Sequence, residues 1–200
     1  MKRTLLPVLA ACSVLSAHAA LIQYTVNLNG PNEPTTSAGL GIGTVNYDNV
    51  AHSLQLQVAF FGLTNFSSGT TASHIHAATA VAFTGTAGVA TTTPSFDGFP
   101  LGVFSGSYSN TLNLTLASSY NPAYVTANGG TTATAEAALT AAMASGKSYW
   151  NIHSGVFPGG EIRGFLVPAV VPEPSSLALL GLGTVGMAGC VWRKRRANKS

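Results

Sequence analysis

The stretch Ser53-Leu54-Gln55-Leu56-Gln57-Val58-Ala59-Phe60 decides the fold, because apolar and polar residues alternate along it. Only an extended strand sends every second side chain to one side, so Leu54, Leu56, Val58 and Phe60 mark a core face. The same rule reads outward from there. Ile22, Tyr24, Val26 and Leu28 alternate with Gln23, Thr25 and Asn27, and Leu112, Leu114 and Leu116 alternate with Asn113 and Thr115. Turn formers separate the runs at Asn29-Gly30-Pro31, Asp48-Asn49, Ser67-Ser68-Gly69 and Asn128-Gly129-Gly130. Short strands between polar turns predict an all-β, antiparallel sandwich or barrel. One segment breaks the pattern. Thr134 to Ser145 is rich in Ala, brings Leu139 and Met143 onto one helical face, carries Glu136 in its first turn and meets Gly146 as a stop. It predicts one short Ala-rich helix packed across an end of the β domain.

The ends of the chain read as addresses. Lys and Arg number 9 and Asp and Glu 6 among 200 residues, and Lys2, Arg3, Arg193, Lys194, Arg195, Arg196 and Lys199 all lie at the termini. Between Ala20 and Val170 only Lys147 and Arg163 stand against Glu33, Asp48, Asp97, Glu136 and Glu161. A body so poor in cations cannot neutralise a row of phosphates, which excludes nucleic acid as a partner. Residues 1–19 read as a secretory signal peptide: Lys2-Arg3, an apolar run from Leu5 to Leu15, then Ala17-His18-Ala19, with cleavage between Ala19 and Ala20. Leu9-Ala10-Ala11-Cys12 also fits a lipoprotein cleavage pattern, but it would leave only Thr4 to Ala11 as the apolar export segment.

Residues 20–167 then form the β domain, and 168–174 a Pro-rich hinge ending in Pro172-Glu173-Pro174. Residues 175–192, apolar from Leu177 to Trp192, read as a C-terminal transmembrane segment, and 193–200 as a basic tail held on the cytoplasmic side. Gly181, Gly183 and Gly186 within it spell G-x-G-x-x-G, but no acidic residue follows as a dinucleotide site requires. Pro172-Glu173-Pro174, the apolar run and the basic end, in that order, resemble the PEP-CTERM sorting signal of Gram-negative bacteria. That resemblance implies recognition by an exosortase after passage through the secretion machinery, with removal of the tail near the motif. It further implies transient tethering to the inner membrane, then a cell-surface or extracellular-matrix destination, with exopolysaccharide or matrix proteins as partners.

Cys12 and Cys190 fall in the two end segments, so the body has neither a disulfide framework nor a cysteine metal site. Its chemistry lies in histidines. His74-Ile75-His76 sits in one predicted strand, Trp150-Asn151-Ile152-His153 in another, and Gly159-Gly160-Glu161-Ile162-Arg163-Gly164 begins a third. If Ile75, Ile152 and Ile162 point inward, strand alternation sends His74, His76, Asn151, His153, Glu161 and Arg163 to the other face. Two His at i, i+2 with a third on a neighbouring strand can begin a zinc or copper site, with Glu161 as fourth ligand or as orienting partner. The competing reading is a hydrogen-bonded polar cluster in which Asn151, Glu161 and Arg163 pair across strands. His52, beside a turn, is expected to be solvent-exposed. Without a Gly-x-Ser-x-Gly elbow, and with Glu33, Glu136 and Glu161 on unlike elements, no enzymatic activity is expected.

These motifs are similar to those of the CHRD domain. Leu28-Asn29-Gly30 with Glu33, the glycine-spaced strand Gly39 to Tyr47, His74-Ile75-His76, Tyr149-Trp150-Asn151-Ile152-His153 and Phe157 to Gly164 carry the likeness over about residues 21 to 167. Ala77-Ala78 departs from the family's usual Gly-Pro after the second histidine. The resemblance implies an immunoglobulin-like β-barrel akin to copper–zinc superoxide dismutase, without an assigned activity. The expectation is an exosortase-sorted envelope or matrix protein whose domain is a binding or structural module. The alternative is a small zinc- or copper-binding module using His74, His76 and His153.

Overall fold

The structure, a computed structural model, describes residues 21–65 and 68–169. The expected signal cleavage site at Ala19 and Ala20, the sorting motif Pro172, Glu173 and Pro174, and the expected membrane segment lie outside these residues. Among the described residues no helix is long and apolar enough to cross a membrane.

The all-β antiparallel expectation takes the form of a single eight-stranded sheet. Its strands are β1 Leu21–Asn29, β2 Leu40–Asp48, β3 Ser53–Phe61, β4 Thr70–Ala77, β5 Gly106–Asn113, β6 Ser148–Ser154, β7 Ile162–Phe165 and β8 Val167–Pro168. They run in the order β4-β6-β7-β1-β2-β3-β5, with β8 also paired to β1. Alternation places Tyr24, Val26 and Leu28 of β1, Leu54, Leu56, Val58 and Phe60 of β3, and Ile75, Trp150, Ile152 and Ile162 of the other wing in one buried core. Phe96, in the long β4–β5 connection, stacks on Tyr108 of β5 at 5.8 Å and meets Trp150 of β6 edge-on at 5.6 Å. One ring thus touches β5 at one end of the strand order and β6 beside the other, and the sheet curls around it into a half-barrel.

The connection that carries Phe96 also finishes the β4 edge. Ala90 N donates to Ile75 O, Ile75 N to Thr91 Oγ1, Phe96 N to Ser73 O and Thr70 N to Val103 O, each at 2.9 Å. An edge strand otherwise presents unpaired backbone groups, and here a loop satisfies them. Gly164 admits the β7–β1 contact on the other side: a Cβ there would lie 2.3 Å from Asn27 O.

The Ala-rich helix α2 spans Thr132–Ala144, two residues earlier at its start than its apolar spacing predicts. A reciprocal capping box between Thr131 and Thr134 sets that start and leaves Glu136 beyond the first turn. Glu136 instead lies on the buried face, where its carboxylate accepts from Tyr47 OH at 2.8 Å and approaches His52 Nδ1 at 3.0 Å. His52 is half-exposed, as its place beside the turn implies, but it is partnered. A shorter helix α1, Pro122–Ala127, precedes α2; Asn121 caps it through Ala123 N, and Pro122 opens its first turn.

Candidate metal centre

Strand pairing assembles the site. β4 and β6 align His74 with Asn151, His76 with Tyr149 and Ala72 with His153, while β7 sets Arg163 beside Asn151 and Phe165 beside Tyr149. Ile75, Ile152 and Ile162 point into the core, so the polar residues between them occupy the opposite face. That face is not open to water. Loops cover it and leave His74 6 % exposed and His76 and His153 8 % each.

The three imidazoles converge there. The His74 ring centroid lies 4.8 Å from that of His76 and 4.6 Å from that of His153. One ring nitrogen from each falls within 4.8 Å of the others. The tautomers of two rings follow from their partners. His76 Nδ1 lies 2.8 Å from Ala87 O and His153 Nδ1 lies 2.9 Å from Pro158 O. A carbonyl only accepts, so each Nδ1 carries the proton and each Nε2 a lone pair. Neither Nε2 has a hydrogen-bond partner, and His74 has only a backbone contact with Pro94 that falls outside ordinary hydrogen-bond geometry, so neither of its nitrogens is satisfied.

Burial keeps these rings neutral. It pushes His74 down to about 3, with His153 and His76 adding to the shift. Burial likewise pushes His76 down to about 4, against a contrary pull from the Ala87 carbonyl. His153 is lowered for the same first reason, and its bond to Pro158 partly offsets it. A neutral imidazole whose Nδ1–H is anchored on a backbone carbonyl is the oriented, ligating form for zinc or copper. An unpaired buried polar atom costs about 1–3 kcal/mol, so several in one place call for a partner.

The remaining predicted residues divide. Asn151 and Arg163 do stand beside the histidines. Asn151 Nδ2 donates to Glu33 Oε2 at 3.3 Å, and Arg163 Nε lies 3.2 Å from the same oxygen. Arg163 also donates through Nε to Asn32 O and through its terminal nitrogen to Gly85 O at 3.1 Å. Its guanidinium lies 4.8 Å from the centre of the Tyr149 ring, which stacks on His76 at 4.7 Å. Gly160, with φ +132°, lets the chain pass this group, since a Cβ would fall 2.4 Å from Asn151 Nδ2.

Glu161 lies elsewhere. Its Oε1 accepts from Ser37 Oγ and Thr64 N, both at 2.6 Å, and its carboxylate also bonds Ser154. These bonds hold it below the usual carboxylate range against the opposing effect of burial. Strand alternation fails here because Glu161 precedes the first residue of β7. It turns toward Ser154, the residue after His153 and therefore on the opposite face of β6. Among the described residues, the converging ligand group consists of His74, His76 and His153 alone. Two participants carry no assigned role in the sequence reading. Tyr149 shares a face with Asn151 and His153 by strand parity and was legible on that ground. Glu33 is 118 residues from Asn151 and gives no local signal.

Comparison with known families matches residues 24–166 to the CHRD domain and residues 170–196 to the PEP-CTERM protein-sorting motif. No curated protein and no solved structure matches the chain. The motif marks an exported protein sorted by an exosortase. With the domain match covering most of the sheet and every strand that carries the histidines, the chain belongs to the CHRD domain family.

Proposed function

We propose that this exported CHRD protein is a binding module of the cell envelope or extracellular matrix, and that its domain binds one zinc or copper ion through His74, His76 and His153. The role is binding and not turnover. One observation carries the reading: three buried histidines leave four ring nitrogens without a hydrogen bond of ordinary geometry, and one nitrogen from each ring lies within 4.8 Å of the others. The neighbouring Arg163 is met by Asn32, Glu33 and Gly85, so the orphaned atoms on this face are the ring nitrogens and Asn151 Oδ1. The implied likeness to copper–zinc superoxide dismutase and the envelope partners, exopolysaccharide or matrix proteins, belong to this proposal and rest on the family resemblance.

Elemental analysis of the chain purified without a histidine tag tests it, beside a His74→Ala/His76→Ala variant. About one equivalent of zinc or copper, lost in the variant, is expected. A metal-free parent that takes up neither ion on addition would refute the site and leave a structural polar cluster, with the module's partners to be sought in the matrix.

A further inference from the structure

Resting on that metal reading, we propose that the three-histidine centre selects a monovalent ion, Cu(I), over divalent zinc or copper. The ligand set is three neutral imidazoles with no carboxylate among them. The two carboxylates nearest in the fold are committed elsewhere. Glu33 faces Arg163 and Asn151, and Glu161 is held by Ser37, Thr64 and Ser154 away from the rings. Cys12 and Cys190 both fall outside the described domain, so it offers no thiolate either.

A divalent ion would therefore enter with its whole charge uncompensated. The ring nitrogens lie in a nearly dry place, and the charged groups beside them on that face, Arg163 and Glu33, are paired with each other, the guanidinium lying over the Tyr149 ring that covers His76. The solvation cost of burying an ion grows with the square of its charge, roughly fourfold for a dication over a monocation of the same size.

Coordination number points the same way. Zinc in a protein takes four ligands, and three protein ligands leave its fourth position to a water or an anion. Cuprous ion is satisfied by three nitrogen donors. Imidazole itself suits both metals, so donor softness does not decide; charge and ligand count do.

The test is a competition on the full-length, metal-free protein, kept anaerobic with ascorbate. Cu(I) is titrated against the chromogenic chelator bicinchoninate, with and without Zn(II), and X-ray absorption at the copper edge reads the ligands. One equivalent of Cu(I) should be withheld from the chelator and kept against a hundredfold excess of Zn(II), with about three nitrogen neighbours. Displacement of half or more of the copper by equimolar Zn(II) would overturn the selectivity while leaving the site intact. A protein that holds neither ion, or a copper spectrum without histidine scattering, would overturn the metal reading and the selectivity together.

Discussion

Lowering the pH from 7 to 5 should destabilise the metal-free domain far more than its carboxylates allow. Histidine in the unfolded chain titrates near its ordinary 6.5, whereas the folded state holds His74 at about 3 and His76 at about 4. As the pH falls, protons therefore bind the unfolded chain first. The stability tied to these rings is complete above 6.5 and drains away as the pH drops from there toward the folded values. At pH 5 each unfolded imidazole is almost wholly protonated and each folded one almost wholly neutral. The difference is about 2 kcal/mol for each of His74 and His76. His153, lowered by burial, adds in the same direction, whereas Glu33, raised by burial, opposes it. Most carboxylates titrate near 4, so the window from 7 to 5 isolates the histidines. A loss on the order of 4 kcal/mol corresponds to a Tm lower by roughly 10 °C in a domain of this size. Thermal melts in chelator at half-unit pH steps measure it, with ring-proton resonances reporting each imidazole. A Tm constant from pH 7 to 5, or folded-state rings titrating near 6.5, would refute the reasoning.

Three further outcomes are expected. Metal affinity should fall by no more than about tenfold between pH 7 and 5, where three ordinary imidazoles would lose about 10⁴-fold to protons; a fall of three orders in a chelator competition would contradict this. Glu161→Gln should weaken the bonds from Ser37 and Thr64 and cost about 1.5–3 kcal/mol in urea unfolding, yet leave metal content unchanged. Metal lost from that variant would return Glu161 to the ligand set. Gly164→Ala would place a Cβ 2.3 Å from Asn27 O and should cost about 3 kcal/mol or more by parting β7 from β1. A variant melting within a few degrees of the parent would show that the sheet adapts there.

The strands were legible because one face of each is buried, and burial imposes the two-residue period on Leu54 to Phe60 and Tyr24 to Leu28. The same parity brought His74, His76 and His153 to one face from sequence alone. It failed at Glu161, one residue outside β7, where backbone geometry no longer alternates. The half-barrel curl was not legible. It depends on Phe96, in a segment without periodicity, whose ring reaches Trp150 and Tyr108. Helix α1 was missed although Asn121-Pro122 is a helix-start signal, because six residues are too few to show a period.

Adjacent rows of one covered sheet face treat buried polarity in opposite ways. Around Arg163, chain segments far apart in sequence converge to supply the Asn32 and Gly85 carbonyls and the Glu33 carboxylate. One strand away, the Ala87 and Pro158 carbonyls fix two histidines by Nδ1 and leave every Nε2 lone pair unanswered. A fold able to bring two carbonyls and a carboxylate to one guanidinium had the loops to satisfy three imidazoles. A serine or threonine hydroxyl in place of any of them would also remove about 1–3 kcal/mol of penalty per orphaned atom. Local rules broken without compensation are expected at functional sites, and a metal ion answers several converging lone pairs at once. Binding should then tie β4 to β6 directly and raise the Tm in proportion to the logarithm of metal concentration above Kd. A polar cluster that serves structure alone would show no such dependence.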